Sequence, residues 1–207
     1  MRKIVLAVLL ILILAVPVWA KDQDVSGASQ LMIEIDHSFW QKEVISGYVY
    51  GTFFYNMNDS YAALYGYGGA RFGKEDYGAY LLLAFLGDSV GESVGPSLWL
   101  EYTLKKKFYF FLEGDYYIPV AGTSQGNDVV LPQHLYYSQG EASRQFKDDI
   151  KFGLAYEMQG LFTDSSPTEL AFGPFGQFKK LRIWLFWDTT PILQGEDIVG
   201  VRFKYKI

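Results

Sequence analysis

The chain has 207 residues, with 18 lysines and arginines against 23 acidic residues, two histidines and no cysteine. The absence of cysteine excludes disulfide staples, thiolate metal sites and a lipidated N-terminal cysteine, and the acidic balance without a basic tail argues against a nucleic-acid partner. Sixteen tyrosines, sixteen phenylalanines, five tryptophans and 21 glycines favour strands carrying belts of aromatic rings over helices.

At the N-terminus, Arg2 and Lys3 precede an apolar run from Ile4 to Val16, and Pro17, Val18, Trp19 and Ala20 lead into Lys21. A basic head, an apolar stretch and a small residue before a polar start is the order of a secretory signal peptide, so residues 1–20 are expected to be removed. An uncleaved anchor helix is the competing reading, because Ile4 to Ala20 just reaches the roughly 30 Å of a bilayer core. Residues 21–207 form the expected mature domain, with about seven net negative charges once Arg2 and Lys3 are gone.

Turn-forming clusters divide the mature chain into segments of the length a tilted strand needs to cross hydrocarbon. Ten are expected, at 30–40, 44–56, 60–72, 77–87, 96–105, 107–119, 149–160, 168–178, 180–188 and 197–207. Polar or glycine-bearing punctuation separates them, including Gly73-Lys74-Glu75-Asp76, the Lys105-Lys106-Lys107 turn and Lys179-Lys180, as hairpin connections require.

Several segments separate cleanly into two faces. Leu98, Leu100, Tyr102 and Leu104 alternate with Ser97, Trp99, Glu101 and Thr103, and Ile150, Phe152, Leu154, Tyr156 and Met158 alternate with Lys151, Gly153, Ala155 and Glu157. Such period-2 patterning predicts one apolar and one polar face. Tyr77 to Leu86 breaks the pattern, because Leu81 to Leu86 is apolar on both faces, and it is expected to line a dry patch. The fold class predicted is all-β: an antiparallel, up-and-down transmembrane β-barrel of about ten strands. A soluble sandwich or lipocalin-like barrel is the structural rival, with its apolar face inward.

The longest connection, about 120–148, is polar and glycine-rich. Long loops of outer-membrane barrels face outside and short turns face the periplasm. With both chain ends periplasmic and ten crossings, this loop would fall on the periplasmic side, at odds with its length. Eight strands, or twelve with Val129 to Tyr137 crossing as well, therefore stay open.

Alternation places Glu34, Asp36, Arg71, Glu101, Glu113, Asp115, Lys151, Glu157, Glu169, Arg182, Asp188, Arg202 and Lys204 on the inward face. Both signs are present, so these groups are expected to pair, because an isolated buried charge costs several kcal/mol. An electrostatic core replacing a hydrophobic one is the favoured reading; a narrow ion or solute path is the other.

The final strand carries the strongest resemblance. Val199, Val201, Phe203, Tyr205 and Ile207 alternate with Gly200, Arg202, Lys204 and Lys206 up to the last residue. In this pattern the chain resembles small bacterial outer-membrane barrels of the OmpA-like and small-porin type, although it ends in isoleucine where that family usually has phenylalanine or tryptophan. The resemblance implies an outer-membrane location, contact with outer-membrane lipid, recognition of the last strand by the barrel-assembly machinery, and a structural, surface-exposed or narrow-pore role without cofactors.

Two enzyme patterns are fainter. Tyr80 to Ser89 resembles the strand-to-loop junction bearing the Asp-Ser pair of lipid A palmitoyltransferases. That resemblance implies a lipid A-modifying acyltransferase acting through His37, Asp88 and Ser89. His134 and Ser138 invite comparison with lipid A deacylases, but stand four residues apart instead of two. Neither histidine has a ligand-spaced partner for a metal. A soluble periplasmic lipid or ligand carrier is the remaining alternative.

Overall fold

In the computed structural model the described residues are 26–57, 61–89, 91–125, 128–130, 134–147, 149–161, 169–188 and 198–207. The expected signal peptide lies outside them. Twelve strands are present among the described residues: β1 (Ser26–Lys42), β2 (Ile45–Asn56), β3 (Tyr61–Lys74), β4 (Tyr77–Asp88), β5 (Gly91–Leu104), β6 (Phe108–Gln125), β7 (Asp128–Val130), β8 (Leu135–Lys147), β9 (Ile150–Leu161), β10 (Glu169–Phe178), β11 (Leu181–Asp188) and β12 (Ile198–Lys206). Among the described residues no helix is long and apolar enough to cross a membrane, a statement that does not bear on strands.

Sequential antiparallel pairing runs from β1 to β6, β6 then pairs β8, and the ladder continues to β12. β12 returns to β1, from Ser26 opposite Ile198 to Glu34 opposite Lys206. This closes an eleven-stranded barrel, and β7 adds only a short ladder with the end of β6, Thr123 to Gln125. Closure matters because it leaves no exposed edge of unpaired backbone groups.

All ten expected strands are present, and two are additional: β8, which joins the barrel, and the three-residue β7. β8 occupies the second half of the segment expected to be a loop at 120–148, while β6 takes up the beginning of it. An odd number of alternating strands forces the first and last to run in the same direction, so the β1–β12 junction is parallel in an otherwise antiparallel sheet.

The added strand puts the start of β1 and the end of β12 at opposite rims, so the expectation that both chain ends share a rim fails, and the β6–β8 connection lies at the rim opposite the end of β12. The connections β2–β3, β4–β5, β6–β8, β9–β10 and β11–β12 share one rim; apart from the two-residue β4–β5 connection these are the longer ones, and all five connections at the other rim have two or three residues. The short turns at that rim contain the four non-glycine residues with positive φ among the described residues, Glu43, Lys105, Lys106 and Lys179. At the β3–β4 turn, Gly73 has φ +149°, and a Cβ there would lie 2.1 Å from the carbonyl oxygen of Tyr77, so glycine is required.

The faces are oriented opposite to those of a soluble sheet. Leu83 and Leu154 are 63% and 65% exposed on the outer face. Arg202, Glu113 and Asp115 are buried inside. Inside-out polarity of this kind is what a lipid-facing barrel requires and what an aqueous carrier avoids.

Candidate lumen site

Two walls of different chemistry face each other across the interior. Strands β2 to β6 supply an aromatic and aliphatic wall: Tyr48, Tyr67, Tyr80, Leu82, Ala84, Leu86, Trp99 and Tyr117 are buried together. The doubly apolar segment of β4 explains itself here, since Leu82, Ala84 and Leu86 point inward while Leu81 and Leu83 point out. Trp99 anchors this wall, with ring centroids of Tyr67 at 4.9 Å, Tyr50 at 5.2 Å, Tyr80 at 5.6 Å and Phe111 at 5.8 Å. Edge-on and tilted arrangements of this kind add to the stabilisation from area burial. The Trp99 Nε1–H has no hydrogen-bond acceptor among the described residues.

Strands β8 to β12 together with β1 supply the charged wall. Glu141 on β8 accepts from both Lys151 and Arg182, the latter at 2.5 Å. Arg202 donates to Glu157 and, through Nε, to Gln30 Oε1 at 2.6 Å. Glu34 pairs with Lys204 at 2.6 Å and accepts from the Tyr50 hydroxyl. Asp36 pairs with Lys206 at 2.6 Å nearer the short-turn rim. Glu169 accepts from the Gln159 amide, and Asp188 is half-buried at the far end of β11.

The remaining expected charges sit on the aromatic wall or at its border. Arg71 reaches Glu101 at 2.6 Å and also donates to the Tyr80 hydroxyl at 3.1 Å. Asp115 accepts from Ser97 at 2.5 Å, Tyr67 at 2.9 Å and Tyr117 at 3.0 Å, and Glu113 accepts from the Gln139 amide. Arg202 lies 4.8 Å from the Trp184 ring and Arg182 lies 3.6 Å from that of Phe175, so each guanidinium has a ring face as well as a carboxylate.

The thirteen residues expected inside are therefore on the inner face. Sequence reasoning missed Glu141, Gln30, Gln139 and Lys206, which complete the network. At mid-barrel, Tyr67, Tyr117 and Asp115 are linked by hydrogen bonds on one side, and the Arg202–Glu157 pair lies on the other. Below them a cavity of about 300 Å³ extends from Trp99 and Tyr50 to Lys180 and Lys206 at the short-turn rim.

The enzyme constellation is not assembled. His37 is exposed on the outer face of β1, opposite Val49 and near the short-turn rim, whereas Asp88 ends β4 at the other rim, beside exposed Ser89. Asp88 accepts from the Tyr61 hydroxyl at 2.6 Å and the Gly91 backbone N–H at 3.1 Å, the arrangement of a turn-stabilising carboxylate. His134 meets Tyr116 at 2.9 Å. Ser138 donates to the Glu113 carbonyl and contacts Tyr156, so it is not aligned with His134 as a nucleophile. No group of three metal-ligating side chains exists among the described residues.

The closed sheet is similar to a porin. A crystal structure of NanC porin, in a rhombohedral form, matches with a TM-score of 0.53 and 12% identity over 79% of this chain and 85% of that one. At this identity the likeness is one of fold. No family model matches the sequence, and neither does any curated protein.

Proposed function

We propose that this protein is an outer-membrane barrel providing a narrow, charge-lined path for small polar or ionic solutes. The observation that carries this reading is the inversion of polarity: apolar side chains cover the outside, and a network of ion pairs and hydroxyls lines an interior that opens into a 300 Å³ cavity. A barrel of eleven strands is wider than the eight-stranded kind that side chains fill, and much narrower than a wide aqueous porin. The fold likeness to a porin agrees with this role. In this reading the short turns face the periplasm and the long connections face outward.

Planar-bilayer recording of the refolded protein tests it. The expected result is a small unit conductance that increases when Arg202→Ala and Glu157→Ala are combined, because both side chains occupy the narrow middle. A barrel that retains heat-dependent gel mobility but passes no current in either form would overturn the path and leave a structural role.

A further inference from the structure

The outer wall holds a second feature. Between β5–β6 and β9–β10 the surface is concave, and a groove of about 530 Å³ runs over it. Its floor on β8 is the exposed, outward-facing Ala142; the neighbouring Gly140 lies beneath the ring of Tyr156. Its sides are Leu112 and Phe110 on β6, and Leu154 and Phe172 on β9 and β10. Ala142, small between Phe110 and Leu154 on the neighbouring strands, leaves a trough, and this trough is almost wholly apolar.

At its short-turn end the groove meets positive charge. The next outward residue on β8 is Arg144, two positions beyond Ala142 and therefore about 7 Å further along the strand. Arg144 pairs in register with Phe108 at the start of β6. Its guanidinium lies 5.5 Å from the Phe108 ring and 5.1 Å from that of Phe146. The Lys105-Lys106-Lys107 turn adjoins it, since the Gln145 backbone N–H donates to the Lys107 carbonyl at 2.7 Å. Lys147 follows on the same strand. All five cations are exposed, and none is ion-paired with another described residue.

The turn itself is strained. Lys105 and Lys106 have φ of 52° and 55°, a region that favours glycine or asparagine in a hairpin. The same conformation recurs at Glu43 and Lys179 in two other short connections, so it belongs to the hairpin geometry of this rim.

We propose that this groove is a binding site for an anionic glycerophospholipid of the leaflet at the short-turn rim. One acyl chain lies over Ala142 between Phe110 and Leu154, and the phosphate is held by Arg144 and the lysine turn. Charge complementarity identifies the occupant: an apolar trough continuous with five cations that have no ion-pair partner among the described residues matches a lipid with a hydrocarbon chain and an anionic head. Neutral lipid would satisfy only the trough. The inference rests on the membrane reading given above.

The test uses the refolded protein in phosphatidylcholine vesicles doped with a minor amount of either spin-labelled phosphatidylglycerol or spin-labelled phosphatidylcholine. Electron spin resonance then reads the motionally restricted fraction of each. Preference for the phosphatidylglycerol label is expected, falling by up to roughly fivefold for each cation removed in Arg144→Gln and Lys106→Gln. Ala142→Phe, which fills the trough, is expected to reduce restriction while leaving the cations in place. Lys106→Gln lies in an exposed turn, so it keeps the test valid if an outer-wall variant fails to fold. Vesicle flotation separates the two levels of failure: protein that does not float overturns the membrane reading itself. Protein that floats but restricts both labels equally, or whose preference survives all three variants, overturns the lipid site alone.

Discussion

Arg202 is the side chain on which the interior depends most, and its removal has a calculable consequence. It is 8% exposed, it donates to Glu157 and Gln30, and its guanidinium lies 4.8 Å, 5.5 Å and 5.7 Å from the rings of Trp184, Phe54 and Phe186. Arg202→Met keeps much of the side-chain volume but leaves the Glu157 carboxylate without its cation in the middle of the barrel. Breaking a buried pair on one side costs about 3–5 kcal/mol, whereas replacing both partners with neutral groups of similar shape is often close to neutral. At about 1.4 kcal/mol per factor of ten, the single variant lowers the folding equilibrium constant by roughly two to three and a half orders of magnitude. Adding Glu157→Gln to Arg202→Met then recovers most of that loss. Urea titrations of the reconstituted protein, followed by the gel mobility of the folded form, measure all corners of the cycle. Equal midpoints for the single and double variants would refute the pairing, because then the cost would come from lost packing and not from an abandoned charge.

Three further outcomes follow from the same geometry. Glu141 holds Lys151 and Arg182 together, so Glu141→Gln leaves two adjacent cations in the lumen; the reversal potential under a salt gradient should move toward anion selectivity, and an unchanged potential would place the conducting path elsewhere. Leu83 is 63% exposed near the centre of β4, and Leu83→Lys should cost about 2–4 kcal/mol if that face meets the hydrocarbon midplane, as read by urea midpoints in vesicles, while a neutral result would count against lipid on the outside. Ile33 and Tyr205 are partners across the parallel junction, and because the native chain has no cysteine, Ile33→Cys with Tyr205→Cys should form one intramolecular disulfide in the folded barrel; free thiols under oxidant would mean that the barrel closes in another register.

Most strands were legible because a period of two is a short-range signal. Leu98, Leu100 and Tyr102 announce an outer face without knowledge of any neighbour, and Lys151 and Glu157 announce an inner one. β8 escaped because its contrast is weak. Its outward residues Tyr136, Ser138, Gly140, Ala142 and Arg144 are small or polar, and its inward residues Tyr137, Gln139, Glu141 and Ser143 are also mostly polar, so the segment reads as a loop. The cue that was available is the loop-side conflict, which one more crossing removes relative to the last strand, at the expense of the expectation that both chain ends share a rim. Charge placement was legible and charge partnership was not. Whether Glu34 meets Lys204, 170 residues away, depends on closure and register, and these are settled by the whole sheet. The split between an aromatic wall and a charged wall was hidden for the same reason, although Leu81 to Leu86 marked one strand of the dry side.

The odd strand number has a price at the β1–β12 junction, and the inner face shows how it is met. Parallel pairing is slightly less stable per residue than antiparallel pairing, and slipping the register by one residue would turn Glu34 and Asp36 outward and Ile33 and Ile35 inward. Three polar links cross this junction: Gln30 to Arg202, Glu34 to Lys204 and Asp36 to Lys206. All three bridge β1 to β12, and all use inward residues spaced by two along β12. A slip would break each link and bury unpaired charge at the same time, so the ladder penalises misregister far more than it stabilises the correct one. The ion pairs that give the lumen its character also fix the first strand against the last. Their retention is then explained by closure of the barrel even where a single pair, weighed against its desolvation, contributes little net stability.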